Sequence, residues 1–228
     1  IGFCLVGSEM CIRDSVHPLE SKLKAIDISV PSDPSSSAFF AGLAVISNNS
    51  KLKLTNVLLN ESRIGFVEVL RRMNCLIIQS NESIHNGEKV GDLTFSSSSI
   101  KAVEVEPEII PSIIDEIPIL AVVAAFSSGV TVFKNVEELK YKECDRLGAI
   151  IHNLQAFGIK AYENNNNLYV EGGKVKKMSQ ITTFDDHRIA MAFTILSLAA
   201  FKKYDLDNTK CVDISLPNFF KYLSEITK

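Results

Sequence analysis

The feature of this sequence that most constrains its fold is an order of elements that recurs along the chain. From residue 25 to about residue 100, apolar alternation and helical periodicity predict the order strand, helix, strand, helix, strand, strand. The same βαβαββ order recurs over about residues 101–173 and begins again at residues 180–228, where its last two strands are missing. We therefore predict a mixed α/β (α+β) fold of repeated βαβαββ units with pseudo-threefold symmetry, whose third unit is incomplete.

The bounds of the individual elements follow from the same periodicity. The predicted helices cover residues 34–47, 63–73, 115–129, 143–158, 185–201 and 217–226, with Gly129 and Gly158 as helix stops. The predicted strands cover residues 25–31, 51–57, 75–81 and 92–98 in the first unit, 101–107, 130–136, 159–165 and 167–173 in the second, and 181–184 and 210–215 in the third. The first helix of each unit is apolar nearly all round, so we expect all three to be buried.

Charge and cysteine usage narrow the classes of protein. A formal net charge of -3 and a pI near 5.9 provide no basic field for nucleic acid or anionic lipid, so any anionic ligand must be held by a few local cations. The longest apolar runs, residues 117–126 and 189–201, are too short to span a bilayer. The five cysteines show no C-x-x-C pair and no metal-ligand spacing, which indicates reduced thiols in a cytoplasmic protein. We expect no metal and no organic cofactor.

The opening segment, IGFCLVGSEMCIRDS, differs from the rest of the chain. It lacks the cationic start and the small-residue cleavage site of a signal peptide, and it fits none of the periodic patterns that follow it. We interpret residues 1–15 as a foreign leader and residues 16–228 as the folded lobe.

Acidic residues open the first helix of each unit, namely Asp33, Asp115 and Asp185 or Asp186. One interpretation is capping, in which a carboxylate accepts hydrogen bonds from the first N–H groups and complements the helix dipole. The other is a ligand site, because a threefold repeat would bring these buried N-termini to one end of the domain, and converging N-termini attract anions. The acids alone leave both interpretations open.

The segment KECDRL, residues 142–147, places opposed charges at the start of the second helix of the second unit. We predict Lys142, Glu143 and Arg146 in the first turn of this helix. In one interpretation Glu143 caps the helix and pairs with Arg146 on a solvated surface. In the other, the cations face a ligand, since cations at a helix N-terminus otherwise oppose the dipole.

A second cationic helix start is DDHRIAM, residues 185–191. Arg188 lies in the first turn of a helix without a polar face, where it either pairs with Asp185 or Asp186 or binds a ligand. His187 is either a structural histidine or a group that transfers protons near neutral pH. Two arginines at equivalent ends of buried helices indicate a ligand with more than one anionic group, because the planar guanidinium binds carboxylate or phosphate at two points.

Five segments occur in a specific order and spacing: VPSDPSSSAFF, LLNESR, IDEIPILAVVAAF, EELKYKECDRL and DDHRIAMAF. Together they resemble the family of 5-enolpyruvylshikimate-3-phosphate synthases (3-phosphoshikimate 1-carboxyvinyltransferases). The resemblance covers about residues 25–228 and corresponds to the C-terminal half of a two-lobed protein. It implies the lobe of an enolpyruvyl transferase, built from three βαβαββ units, with the last strands of the third unit supplied by the N-terminal part of the family's chain.

The resemblance also implies a reaction, the transfer of the enolpyruvyl group of phosphoenolpyruvate to the 5-hydroxyl of shikimate 3-phosphate with release of phosphate. Asp115 matches the family's aspartate beside the shikimate hydroxyl and is the candidate proton acceptor. Lys142 matches the lysine that contacts shikimate 3-phosphate and the transferred proton, and Glu143 matches the glutamate near the methylene group. We expect these three residues to be catalytic.

The same resemblance assigns the binding of phosphoenolpyruvate to arginines. Arg146 and Arg188 match the family's arginines that hold this substrate and stabilise the charge of the tetrahedral intermediate. Asp186 and His187 are supporting residues. The chain departs from the family pattern at Ser32 and Asn74, where glycine is usual, and at Cys144, where serine or threonine is usual.

The sequence leaves three functional hypotheses. Because the family's N-terminal lobe is absent, we expect this fragment to be inactive alone and the full-length protein to be a cytoplasmic monomeric synthase. The second hypothesis is the related enolpyruvyl transferase that acts on UDP-N-acetylglucosamine, although the sequence shows no match to its motifs. The third is a non-catalytic binding lobe in which the charged helix starts serve the structure alone.

Overall fold

The computed structural model describes residue 25 and residues 27–227, so the predicted leader lies outside the described residues. The α-helices of this part of the chain are α1 (Pro34–Ile46), α2 (Gly65–Arg72), α3 (Ile117–Ala125), α4 (Arg146–Ala156), α5 (His187–Phe201) and α6 (Phe219–Ile226). The strands are β1 (Lys51–Leu58), β2 (Leu76–His85), β3 (Glu88–Ser96), β4 (Glu104–Val105), β5 (Val130–Phe133), β6 (Lys160–Asn164) and β7 (Asn167–Glu171). Three 3-10 helices cover Ile110–Ser112, Glu137–Tyr141 and Lys210–Ile214.

Two sheets repeat one pairing scheme. The first sheet has the order β1-β3-β2 and is antiparallel, and the second has the order β4-β5-β7-β6. In the second sheet β4 runs parallel to β5, while β5, β7 and β6 pair antiparallel. A single parallel bridge from Ser32 to Val57 at the outer edge of β1 corresponds to the β4–β5 pairing. The predicted mixed α/β fold is confirmed.

The core lies where α1, α3 and α5 pack against one another. These helices are apolar on every side, and side chains such as Phe39, Val122 and Phe193 are at most 1% exposed. Helix α6 covers one side of α1 through an edge-to-face contact between Phe219 and Phe39, whose ring centroids are 6.4 Å apart. No helix of the described residues is long and apolar enough to cross a membrane. Packing of three buried helices brings their N-terminal ends to one side of the lobe.

Four predicted strands are wrong or much shorter than predicted. Of residues 101–107, only Glu104–Val105 forms a strand. Residues 27–31 form no strand, and residues 181–184 contribute only a bridge from Ile181 to Leu206. The predicted strand at residues 210–215 is a 3-10 helix in which Cys211 and Val212 are both buried. A strand would turn these neighbouring side chains to opposite faces, whereas a helical turn buries both. In each case the chain lacks a paired neighbour long enough to sustain a strand within the described residues.

Candidate active site

Arg146 is the centre of the charged cluster at the helix N-termini. It is the first residue of α4, and its side chain is 0% exposed. Its Nη1 donates to Asp115 Oδ1 at 2.9 Å, its Nη2 to Glu143 Oε2 at 2.5 Å and its Nε to Asp186 Oδ2 at 2.8 Å. A fully buried guanidinium is stable only when its charge and its donors are matched, and these three carboxylates do so. The structure thus places Asp115 and Glu143, two of the predicted site residues, in contact with Arg146.

Asp186 joins the cap of α5 to this cluster. Its Oδ1 accepts from the backbone N–H groups of Arg188 at 2.7 Å and Ile189 at 3.3 Å, and its Oδ2 accepts from Arg146. The Sγ of Cys144 lies 3.7 Å from the same Oδ2. Burial, followed by the charge of Asp186, raises the pKa of the Cys144 thiol to about 12. The capping interpretation of Asp186 therefore holds, and the same carboxylate is also a partner of Arg146.

The backbone that leads into Asp186 adopts an uncommon conformation. Phe184 and Asp185 have φ angles of 53° and 56°, in the left-handed region that side chains other than glycine rarely enter. Asp185 is fixed there by Asn208, whose Nδ2 donates to its Oδ1 at 2.7 Å. Such conformations persist where the surroundings hold them, often at functional sites. Here they turn the chain so that Asp186 reaches α4 and α5 together.

Asp115 does not cap α3. The residue before this helix is Glu116, and Asp115 instead pairs with Arg146 and with Arg188 Nη2, 3.4 Å from its Oδ2. Burial raises the pKa of Asp115, but Arg188, Arg146 and Lys142 together outweigh burial and hold this pKa below its ordinary value. Asp115 is therefore a carboxylate at neutral pH. The capping interpretation is wrong for this acid.

Arg188 is held less tightly than Arg146. Its side chain is 15% exposed, its Nη1 donates to the backbone oxygen of Asp115 at 3.2 Å, and its Nη1 lies 3.7 Å from Glu116 Oε1. The predicted pairing of its guanidinium with Asp185 or Asp186 does not occur. Sequence reasoning also missed Glu116, although an acid at the start of an otherwise apolar buried helix was the signal available for it.

Lys142 and Glu143 precede α4 and do not lie in its first turn. The cap is Asp145, whose Oδ1 accepts from Gly148 N at 2.9 Å, so the predicted capping role of Glu143 is wrong. Lys142 Nζ pairs with Glu138 Oε1 at 2.5 Å, and the Glu143 side chain is 53% exposed. The Glu143 side chain is therefore open to solvent, and that of Lys142, at 22% exposed, is partly so.

His187 is half-buried at the first position of α5. Burial is the largest influence on it and lowers its pKa, so the imidazole is neutral at neutral pH. Within the described residues, no group of three or more His, Cys, Asp or Glu side chains is placed to hold a metal ion.

Comparison with known proteins identifies the family. The family model described as EPSP synthase (3-phosphoshikimate 1-carboxyvinyltransferase) matches residues 11–223. The chain belongs to the EPSP synthase family. It is 42% identical to the 3-phosphoshikimate 1-carboxyvinyltransferase of Clostridium tetani over 207 residues, which cover 90% of this chain and 47% of that protein. It is also 42% identical to the protein of the same name from Caldicellulosiruptor saccharolyticus, covering 93% of this chain and 50% of the relative. The chain thus spans about half the length of the curated relatives it matches.

Solved structures agree with this assignment. EPSP synthase from Acinetobacter baumannii superposes with a TM-score of 0.86 at 31% identity, covering 91% of this chain and 48% of that one. The enolpyruvyl transferase NikO from Streptomyces tendae gives a TM-score of 0.64 at 17% identity over 88% of this chain and 44% of its own, which shows a shared fold alone. The resemblance drawn from the motifs is confirmed at the level of the family.

Proposed function

We propose that the chain supplies one lobe of an enzyme that transfers the enolpyruvyl group of phosphoenolpyruvate to the 5-hydroxyl of shikimate 3-phosphate and releases phosphate, a step of the shikimate pathway. The observation that carries the proposal is the position of the Asp115 carboxylate between the guanidinium groups of Arg146 and Arg188. A proton acceptor thereby lies beside two cations of the kind that bind carboxylate and phosphate. The names of the relatives at 42% identity support the same reaction.

The proposed reaction has two steps with opposite proton transfers. In the addition, the substrate hydroxyl oxygen bonds to the central carbon of phosphoenolpyruvate, its proton passes to Asp115, and the methylene carbon gains a proton. In the elimination, phosphate leaves and the new methyl group loses a proton, which restores the double bond. Lys142 and Glu143, whose side chains are at least partly open to solvent, are the proposed carriers of the second proton.

Substrate binding in this proposal requires the arginines to exchange partners. Arg146 keeps its buried bond to Asp186, while its other two partners, Asp115 and Glu143, are 39% and 53% exposed and can turn towards solvent. A substrate anion would then offset the cations that hold the pKa of Asp115 below its ordinary value. The carboxylate becomes a better proton acceptor when substrate is bound.

The remaining parts of the site are proposed to come from an N-terminal lobe, because the chain covers about half of its relatives. We propose that the complete protein is a cytoplasmic monomer that acts on phosphoenolpyruvate and shikimate 3-phosphate and binds neither nucleic acid nor membranes. The UDP-sugar alternative is disfavoured by the names of the relatives. A non-catalytic binding lobe stays as the competing hypothesis that the following experiment addresses.

The test is phosphate release from phosphoenolpyruvate plus shikimate 3-phosphate. The chain is assayed alone and after co-refolding with the N-terminal half of the Clostridium tetani relative. We expect release in the co-refolded sample and only with both substrates, and loss of release in Arg188→Ala. Release in the absence of shikimate 3-phosphate, or none from a co-refolded complex shown to be folded, would contradict the proposed reaction.

A further inference from the structure

Glu116 is a buried acid that none of the roles above uses. It directly precedes α3, and its side chain is 5% exposed. Its Oε1 is buried and has no hydrogen-bond partner among the described residues, and Nη1 of the Arg188 guanidinium is 3.7 Å away. A buried carboxylate oxygen without a hydrogen bond is unfavourable, and the nearby guanidinium of Arg188 is the charge that offsets it.

Arg188 needs such a partner because its other contacts are long or shared. Its Nη2 is 3.4 Å from Asp115 Oδ2, and the other oxygen of that carboxylate is bound more closely by Arg146 at 2.9 Å. The Nε of Arg188 is buried without a hydrogen-bond partner in the described chain. When Asp115 turns to a substrate hydroxyl, the partners that remain to Arg188 among the described residues are the Asp115 backbone oxygen and Glu116.

The surroundings of Glu116 define how it responds to charge. Arg188 faces it from α5, Asp115 from its own loop, and Arg63 from the loop before α2. The Ser35 side chain of α1 also acts on Glu116 through a hydrogen bond, and its Oγ accepts from Arg63 Nη2 at 3.3 Å. Burial is the largest influence and raises the pKa of Glu116. Asp115 has its pKa lowered, so the two neighbouring acids titrate in different ranges.

We propose that Glu116 is a positioning residue that holds the Arg188 guanidinium from its buried side while a substrate anion occupies the accessible side. Arg188 then has two faces with separate tasks, one fixed by Glu116 and one that alternates between Asp115 and the anion. The kinetic part of this inference rests on the proposed function, whereas the contact between Glu116 and Arg188 does not. The two parts are therefore tested separately.

The contact is tested on the unaltered chain by following the Nε–H resonance of Arg188, identified by its loss in Arg188→Lys. As the pH falls from neutral, the resonance is expected to shift with a midpoint above the ordinary glutamate pKa of 4.5. Glu116→Gln should shift it at neutral pH and abolish this transition. Asp92→Asn removes another buried carboxylate, on β3 of the first sheet, and should leave the Arg188 resonance unchanged. The proposal is overturned if the Arg188 Nε–H resonance does not change in Glu116→Gln, or if it shifts only with a midpoint below pH 4.5. A parallel titration uses His187→Gln, because His187 directly precedes Arg188 and burial lowers its pKa. A transition that remains in this variant is not due to His187 and is assigned to Glu116 even if Glu116→Gln misfolds.

The kinetic part is tested in the co-refolded enzyme. Glu116→Gln should raise the KM for phosphoenolpyruvate by about tenfold, with kcat and the KM for shikimate 3-phosphate within about twofold, because the positioning of one anion-binding group is lost. Asp92→Asn should leave all three constants within about twofold. Equal losses in both substrates, or a loss in kcat alone, would reject the positioning role. If the unaltered enzyme released no phosphate, the proposed function would fail, and the resonance experiment would still decide the contact.

Discussion

The first and second repeats share one strand order but use the acid before their first helix differently. Asp33 caps α1, with its Oδ2 accepting from Ser36 N at 2.8 Å and Ser36 Oγ at 2.9 Å. Asp115, at the matching place in the second repeat, accepts from no backbone group of α3 and pairs with arginines instead. Capping alone does not keep an acid out of a site, since Asp186 caps α5 with Oδ1 and binds Arg146 with Oδ2. The difference between Asp33 and Asp115 lies in the arginines, because the one near Asp33 is exposed whereas Arg146 beside Asp115 is buried.

The arginines that accompany these acids differ in the same way. Arg63 precedes α2 in the first repeat, is 53% exposed and lies 3.8 Å from Asp33. Arg146 begins α4 in the second repeat, is 0% exposed and pairs with three carboxylates. A repeated architecture therefore places similar charges at similar points, and burial decides which of them form a cooperative cluster.

The largest difference between the repeats should come from removing these two arginines. Arg146→Ala leaves the buried carboxylate of Asp186 without its cation and is expected to lower the free energy of unfolding by about 3–5 kcal/mol. Arg63→Ala removes an exposed, long ion pair and should cost less than about 1 kcal/mol. Urea unfolding followed by circular dichroism measures both. Similar losses of unfolding free energy in the two variants would show that the buried cluster stabilises the fold no more than an exposed ion pair does.

A second comparison replaces Asp115 and Asp33 in turn and measures enzyme activity. Asp115→Asn should reduce phosphate release by the co-refolded enzyme by about a hundredfold or more, as expected for loss of a general base. Asp33→Ala should lower the free energy of unfolding by about 1 kcal/mol through loss of a cap and leave turnover within about twofold. Full turnover in Asp115→Asn, with a loss only in melting temperature, would make Asp115 a structural acid like Asp33.

The first repeat also contains an acid, Asp92, whose lowered pKa affects the stability of the fold at low pH. Asp92 of β3 accepts from Lys53, Asn81 and the backbone N–H of Asn56, and in that order these bonds lower its pKa from 3.8 to about 2. Because the folded pKa lies below the ordinary value, the stabilisation is complete above pH 3.8 and is lost as pH falls towards about 2. Asp92→Asn should therefore flatten the pH dependence of the unfolding free energy in this window, as measured by urea titrations. An unchanged slope would contradict the assignment.

Local patterns in the sequence predicted most of the fold and part of the site. The helices and the hairpin strands follow from periodicity, and the three buried first helices pack together as expected, with Asp115 and Asp186 at the N-terminal ends of two of them. Arg146 of α4 pairs with both acids. Two features depend on tertiary contacts that periodicity does not contain. The capping role belongs to Asp145 and not to Glu143, because the chain enters α4 later than predicted. The strand predicted at residues 210–215 failed because the described chain offers it no partner strand.

The smallest expected effect concerns the ends of the second helices. Asn74 after α2 has a φ of 67° and Gly158 after α4 has a φ of 82°, and each is followed by a residue whose N–H reaches back to the last turn. Both are therefore C-terminal caps in the left-handed conformation, which asparagine tolerates and glycine adopts without strain. Asn74→Gly gains this freedom but loses the bond from Nδ2 to the backbone oxygen of Ser99 at 3.0 Å, so the unfolding free energy should change by less than about 0.5 kcal/mol.

The reciprocal change, Gly158→Asn, should cost about 1 kcal/mol, because a Cβ at this position meets Lys176 Cβ at 3.3 Å and adds left-handed strain. Urea unfolding of both variants at neutral pH compares them. Equal losses would mean that the Asn74 side-chain bond, and not the backbone conformation, ends α2. A higher free energy of unfolding in Asn74→Gly would instead show that glycine, the usual residue of the family at this position, is the more stable residue at the end of this helix in both repeats.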